Sequence, residues 1–474
     1  LLFIASGGYA VAQIFDNFIS QPVIFGHSVR SHPLEIFIVI LTAGFVFGIP
    51  GMILAVPTYT ALKVVAKEFL SEYKIVKRLT HNLWPLPITP LLNKEIQEFI
   101  RDFEGNISEL AFAGSPFENV SIQELIQQIE SRRRIEKKLP TWFNTANILF
   151  PPKLNLEQTS SEITAKYKAS LVKGTTIADI TGGFGVDSFY FAEKFKTVHH
   201  FETNPNLAEL AKHNFGVFGK ENIHCHAADG LQTALNSKYD VIYADPSRRH
   251  DSKGKVFFLS DCEPNIPNNI SEILKNCNQF LLKTSPMLDI SVGLNELQPI
   301  SEIHIVAVDN EVKELLWLLQ KENSGALKVK TVNFTKKGAE TFDFDWNERA
   351  MATYDLPQKY LYEPNAAILK SGAFDMVSEK LKVNKLHKNT HLYTGEDLID
   401  FPGRRFSIEQ TVPYSKKQMR AALNFKKANI ATRNFPESVE TLRKKWKIAD
   451  GGEIYLFFET NLDDKKEMLI CSKV

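Results

Sequence analysis

The sequence predicts an α/β protein built on a doubly wound sheet, with an N-terminal hydrophobic helical segment and small α+β C-terminal domains. Short apolar runs alternate with helical segments between residues 176 and 308, and a glycine-rich loop, ADITGGFGVDSF at 178–189, closes the first run. The pattern changes period on both sides of that region. At 474 residues the chain has room for roughly two to four domains. Lys+Arg 56 against Asp+Glu 55 leave a net charge of +1, so a surface for a polyanion has to be a local patch. Cys225, Cys262, Cys277 and Cys471 lie far apart without a CxxC pair, which argues against a zinc site or disulfide framework and fits a reducing compartment.

The N-terminal element is an apolar run over residues 34–57, of membrane-spanning length with Glu35 near its start. A shorter apolar stretch, LLFIASGGYAVAQIF, opens the chain on Leu1 rather than Met, as expected of a fragment. Neither a basic leader nor a small-residue cleavage site accompanies the run, which argues against a signal peptide. Lys63, Lys67, Lys74, Lys77 and Arg78 follow it, a basic flank that places the downstream, catalytic part in the cytoplasm and associates the chain with a membrane through 34–57. The alternative is a helical hairpin of a soluble domain. Residues 21–65 resemble the C-terminal end of autoinducer-2 exporter-type (PerM-like) permeases. The resemblance implies a permease-like fragment over 1–82 that lacks the earlier spans of a transport pathway. LWPLPITPL at 83–91 then reads as a junction (83–92), the product of a fusion or read-through of two neighbouring genes.

Residues 93–172 read as soluble helices. Ile96, Phe99, Ile100 and Phe103 recur at i, i+3, i+4 and i+7 behind Asn93, a candidate N-cap. Ser121 and Glu124 form a capping box for a second helix, which ends in the basic run SRRRIEKK at 131–138 before Pro140. That run is read first as a solvated helix end. SSEITAKYKASLV at 160–172 is a third helix leading into the glycine loop.

Six runs then read as strands: TIADI (176–180), VHHFE (198–202), IHCHA (223–227), DVIYA (240–244), FLLKT (280–284) and IHIVAV (303–308). Their alternation with helices predicts a parallel, Rossmann-like sheet over 173–335, whose ligands bind beyond the carboxyl ends of the strands. The residues that follow the strands carry the chemistry. After the first come Asp179, Thr181, Gly182, Gly183, Gly185 and Asp187; after the second, Glu202; after the third, Asp229; after the fourth, Asp245, Pro246, Ser247 and Arg248. The glycines permit a tight turn and close backbone approach. Glu202 lies about 20 residues further on, where a carboxylate reaches ribose hydroxyls. The spacing is GGxG, and the acids Asp179, Asp187 and Asp229 repel a phosphate-rich cofactor but suit a cation. That favours S-adenosyl-L-methionine, a sulfonium without phosphate, over a nicotinamide dinucleotide. Asp229 is placed near the adenine amino group, or alternatively caps the following helix. His224, Cys225 and His226 are read as packing, and no metal is expected.

DITGGFGVD, FETNP, AADG and DPSRR resemble the successive motifs of class I S-adenosylmethionine-dependent methyltransferases. With EQTSSEITAKYKA, YLYEPNAAILKSGAF, ANIATRNFP and LRKKWKIADGGEIYLFF, the series over about 91–474 resembles a bacterial subfamily of RNA methyltransferases. The resemblance implies a methyltransferase domain, a ferredoxin-like module (336–390) and a THUMP-like basic domain (391–474), acting on rRNA or tRNA. The other reading, from a different class, is a membrane-linked transport or nucleotide-sensing protein without methyl transfer. Asp245, Pro246 and Arg248 are the catalytic candidates. Amino-group methyltransferases carry a second proline and an aromatic where this chain has Ser247 and Arg248, which argues against an exocyclic amine as acceptor. Arg248 and Arg249 are placed on phosphate instead.

The last segment holds a charge excess hidden by the balanced total. Lys426, Lys427, Arg433, Arg443 and Lys444 are the expected substrate-binding residues within it, with Phe406, Phe425, Phe435 and Trp446 interleaved as core or stacking groups. Tyr362, Glu363 and Pro364 are expected toward the active-site cleft.

Overall fold

The computed structural model describes residues 33–69, 88–248, 258–321 and 325–474, and the chain divides into two compact units, 1–87 and 88–474. In the first, a helical run over Pro33–Phe69 is interrupted at Gly48 (φ 65°, ψ −152°), with Pro50 and Pro57 close behind. That positive φ is readily accessible only to glycine, and the prolines remove backbone donors, so the apolar run becomes two helical segments instead of one. The segments pack on each other through Ile40 and Ala43 against Met52, Ala55, Val56 and Tyr59. A Cβ on Gly51 would stand 2.4 Å from the Ala43 carbonyl oxygen, so this approach needs the bare backbone. No helix among the described residues is long and apolar enough to cross a membrane. The continuous span expected over 34–57 is broken at Gly48.

The second unit opens with the three expected helices. Lys94–Asp102 is capped by Asn93, Ile122–Ile135 carries the Ser121/Glu124 capping box, and Glu162–Leu171 is capped by Ser161. Between them Trp142, wholly buried, packs its ring 4.7 Å from that of Phe184 and 5.6 Å from that of Phe189, which ties these helices to the glycine loop.

The main sheet contains β1 (Thr176–Asp179), β2 (Thr197–Phe201), β3 (Ile223–His226), β4 (Tyr239–Ala244), β7 (Cys277–Thr284), β8 (Glu302–Val308), β9 (Glu311–Gln320), β10 (Lys328–Thr335) and β11 (Gly338–Asp345), while the short β5 (Ser247–Arg248) and β6 (Cys262–Glu263) pair apart from it. The strand order is β11-β10-β8-β9-β7-β4-β1-β2-β3. β3, β2, β1, β4 and β7 run parallel, as the buried apolar runs predict. β9 is antiparallel between β7 and β8. Only Asp309 and Asn310 join it to β8, both at positive φ (48° and 64°), and a two-residue turn of that kind makes a hairpin rather than a crossover. The sheet also continues past 335, through the β10–β11 hairpin to Asp345. Strand order reverses at β1, between β2 and β4, so the crevice outside the carboxyl ends of these strands is where a ligand site is expected.

The remaining strands are β12 (Tyr360–Pro364), β13 (Asn384–His387), β14 (Thr390–Gly395), β15 (Gly403–Pro413), β16 (Asn429–Arg433), β17 (Ile454–Thr460) and β18 (Lys466–Lys473), in the order β13-β14-β12-β15-β18-β17-β16. This sheet curls until its two ends meet. Thr390 Oγ1 donates to the Thr460 carbonyl at 2.8 Å, and Asn434 Nδ2 lies 3.0 Å from His387 Nδ1. Leu361, Leu386, Leu392, Phe406, Phe457 and Leu469 form one core of the curled sheet. Phe406 is therefore core, and Phe425, Phe435 and Trp446 pack against a neighbouring cluster around Leu442 and Phe458. Tyr362 and Glu363 are buried here rather than turned to a cleft.

Candidate active site

β1 ends on Asp179, which is 1% exposed. Its carboxylate accepts from Ser188 Oγ at 2.6 Å and from the Thr181 amide at 3.2 Å, and among the described residues no cation pairs with it. Burial pushes its pKa up to about 7, helped by the neighbouring charges of Asp187 and Asp245 and opposed by the Ser188 bond. The chain then turns through Gly182, Gly183 (φ 56°) and Gly185 (φ 92°) into the helix Val186–Phe191. A Cβ on Gly182 would fall 2.2 Å from the His200 ring and one on Gly185 2.4 Å from Phe215, whereas at Gly183 the nearest atom is 3.8 Å away. The loop is pressed against the protein at Gly182 and Gly185 and open at Gly183.

Glu202, just past β2, closes the other side. Its Oε2 accepts from the Gly183 amide at 3.0 Å and its Oε1 from the Asn204 amide at 2.7 Å, so the glycine loop and this carboxylate are held as one piece. Asp229, exposed beyond β3, accepts from the Gln232 amide at 3.1 Å through Oδ1 and so caps the helix Gly230–Leu235. Gly230 lies against the Ile180 backbone, where a Cβ would fall 2.4 Å from the carbonyl oxygen. After β4, the Asp245 amide donates to Thr181 Oγ1 at 2.7 Å, which links the Asp-Pro segment to the glycine loop, and Pro246 is buried. Arg248 lies in β5, and Arg249 falls outside the described residues.

The structure thus brings Asp179, Thr181, Gly182, Gly183, Gly185, Asp187, Glu202, Asp245 and Pro246 together at the ends of β1, β2 and β4, with residues that the motifs did not disclose. Lys283 at the end of β7 donates to Asp245 Oδ2. Lys168, 0% exposed, lies 2.9 Å from Ser160 Oγ, 2.9 Å and 3.0 Å from the two oxygens of Glu314, and 3.2 Å from Asp187 Oδ1. Ser160 and Tyr243 hydroxyls donate to Asp187 Oδ2 at 2.8 Å and 2.9 Å. Burial raises the Asp187 carboxyl, but the Lys168 and Lys283 charges outweigh it and leave the pKa below the usual carboxylate value. Glu314 moves the other way, because burial there exceeds the pull of the same lysines. One signal for this network is present in the sequence: a single charge, Lys283, inside the otherwise apolar strand run FLLKT.

The basic residues of the C-terminal segment separate into two groups. Lys426, Lys427 and Lys444 are exposed. Arg433 and Arg404 both bind Glu363, whose side chain is 3% exposed, and Arg443 bonds to Asp450 and to the Ala428 carbonyl at 3.2 Å. Arg433 and Arg443, expected on substrate, are half-buried and bonded to other groups of the chain.

The fold and crevice are those of a methyltransferase. A solved structure described as a putative methyltransferase from Porphyromonas gingivalis W83 is 32% identical, with a TM-score of 0.73, over 81% of this chain and 99% of that one. Family models for a ferredoxin-like domain and a THUMP domain-like module match residues 360–402 and 403–473, and one for the AI-2E family transporter matches 1–71. At that identity, over nearly the whole of the Porphyromonas protein, the chain belongs to the same methyltransferase family. The N-terminal unit is similar to something else. The Bacillus subtilis (strain 168) proteins named putative transport protein YrrI and putative transport protein YueF are 42% and 35% identical over 60 and 80 residues, 13% and 16% of this chain. The chain spans only 17% and 21% of their lengths.

Proposed function

We propose that the protein is an S-adenosyl-L-methionine-dependent methyltransferase acting on RNA, either rRNA or tRNA. One observation carries the cofactor reading: Asp179 is a buried acid with no cationic partner among the described residues, beside a glycine cradle open at Gly183. A buried carboxylate left uncompensated is costly, and the ammonium or sulfonium of the donor would supply the missing charge. The residues present fit that group. Asp179 and the turn Thr181–Gly185 would hold its amino-acid end, Glu202 its ribose hydroxyls and Asp229 its adenine, while Asp187 adds negative potential from behind. When bound, the donor supplies an electrophilic methyl group.

Methyl transfer is an in-line displacement, so the chain's main task is alignment. Asp245 and Pro246, tied to the glycine loop through Thr181, would present the acceptor atom next to the donor's methyl. Exposed Lys426, Lys427 and Lys444 of the THUMP-like module, with Arg248 and Arg249, would neutralise RNA phosphates without reading sequence. Transport or nucleotide sensing alone gives no reason for an Asp-Pro segment locked to the cradle. The test uses the full chain. S-adenosylhomocysteine should raise its melting temperature and NAD should not. Tritiated methyl should enter total RNA and be lost in Asp245→Ala. Stabilisation by NAD alone, or an unchanged rate in the variant, would overturn the reading.

A further inference from the structure

Two lysines, Lys168 and Lys283, lie at or beneath the ends of the central strands, and neither belongs to the glycine loop or the Asp-Pro segment. The Lys168–Glu314 pair is closed off, with side chains 0% and 2% exposed. The Lys283–Asp245 pair sits at the surface of the crevice, with side chains 13% and 29% exposed. Burial alone would lower Lys283, but the carboxylates of Asp245, Glu314 and Asp187 outweigh it and raise its pKa, so it is an ammonium at neutral pH. The carboxylate that would meet the acceptor is therefore already bound by a fixed positive charge.

That charge discriminates between acceptors. A neutral exocyclic amine becomes cationic as it attacks, and the ammonium, by holding Asp245, occupies the carboxylate that would otherwise balance that charge. An acceptor that sheds its proton becomes anionic instead, and the same ammonium stabilises it. The neighbouring positions agree: Ser247 and Arg248 stand where amine-directed sites carry a proline and a stacking aromatic.

Resting on the methyltransferase reading above, we propose that the Lys283–Asp245 pair selects an acceptor that must lose a proton, a ribose hydroxyl or a ring imide N–H, over an exocyclic amine. In this step the oxygen or nitrogen lone pair forms the bond to the methyl carbon. The carbon–sulfur bond breaks with its electrons to sulfur, leaving a neutral thioether, and the acceptor proton passes to the Asp245 carboxylate and on to water. Lys283 is a positioning residue. It fixes Asp245, and its charge stabilises the deprotonating acceptor.

The test has two arms. RNA methylated by the full chain is digested to nucleosides and the label located by mass spectrometry. Label on the ribose oxygen or on a ring imide nitrogen is expected, and the two are told apart by whether it stays with the base after glycosidic cleavage. Label on an exocyclic amine or on carbon overturns the proposal. RNA with no label sinks the methyltransferase reading and this inference with it. In the second arm, Lys283→Met should lose on the order of a hundredfold in rate at pH 7 and regain most of it by pH 9.5, as the acceptor ionises unaided. Lys283→Arg, which keeps the charge, should retain more activity than Lys283→Met at pH 7. A Lys283→Met deficit that is the same at every pH, in protein of unchanged melting temperature, would overturn the role given to Lys283.

Discussion

Binding of the methyl donor should be strongly pH-dependent, because it must ionise Asp179. In the free protein burial pushes that carboxyl up to about 7. A cationic ligand binds the ionised form. If it binds that form alone, about nine-tenths of the sites are protonated and unavailable at pH 6, and about one-tenth at pH 8. The dissociation constant for S-adenosylhomocysteine, which keeps the ammonium, should then be about tenfold weaker at pH 6 than at pH 8, a difference of about 1.4 kcal/mol. Roughly half a proton should leave per ligand bound at pH 7. Isothermal titration calorimetry in two buffers of different ionisation enthalpy measures both quantities. The sign for folding runs opposite to that for binding. With its folded pKa above the unfolded value of about 4, Asp179 holds its proton longer in the folded state, so the ligand-free protein loses stability as pH rises from about 4 to about 7. Asp179→Asn should flatten the pH profile of binding and weaken it at pH 8. A dissociation constant that does not change between pH 6 and pH 8 would refute the assignment of Asp179 to the donor's positive charge.

Three further outcomes follow from the packing. Gly182→Ala puts a Cβ 2.2 Å from His200, a buried ring whose Nδ1 lies 3.0 Å from Ser188 Oγ, so it should lower the melting temperature and abolish S-adenosylhomocysteine binding; a variant with the parent's stability and affinity would contradict the geometry. Lys168→Met leaves Glu314 and Asp187 without their ion-pair partner and should cost about 3–5 kcal/mol in urea unfolding, part of it regained in the double variant Lys168→Met/Glu314→Leu; a single variant within about 0.5 kcal/mol of the parent would argue against a buried charge pair. Changing Lys426, Lys427 and Lys444 together to Glu should weaken RNA binding at least tenfold in a filter assay and reduce its salt dependence, with the melting temperature held, whereas Arg433→Ala should lower the melting temperature by removing one of the two arginines that hold the buried Glu363. Equal RNA affinity in the triple variant would remove the THUMP-like module from substrate binding.

The site was legible where its chemistry is local. Asp179, the three glycines and Asp187 lie within nine residues, and their geometry follows from a strand meeting a helix through positions that need positive φ or lack room for a Cβ. Asp245-Pro246 was found because it ends an apolar run. Helix starts were readable for the same reason: the caps at Asn93 and Ser121 each satisfy amides within a few residues. Residues whose meaning depends on distant partners were not readable. Arg433 and Arg443 looked like any exposed base, and only the curling of the second sheet brings Arg433 from β16 to Glu363 on β12. In the first unit, hydropathy alone suggested a span, and the backbone conformation at Gly48 divides it.

Strand periodicity and the punctuation between strands determined the α/β class, the order of the strand-end loops and the acids clustered in them, because those properties depend on neighbours along the chain. Tertiary structure alone decided that β9 inserts antiparallel between β7 and β8, that Lys168 meets Glu314 across 146 residues, and that Lys283 reaches Asp245 across 38. Those charges are tolerated only as pairs, since a lone lysine or glutamate at such burial would be too costly to keep ionised. The pairing exists only once the sheet has assembled.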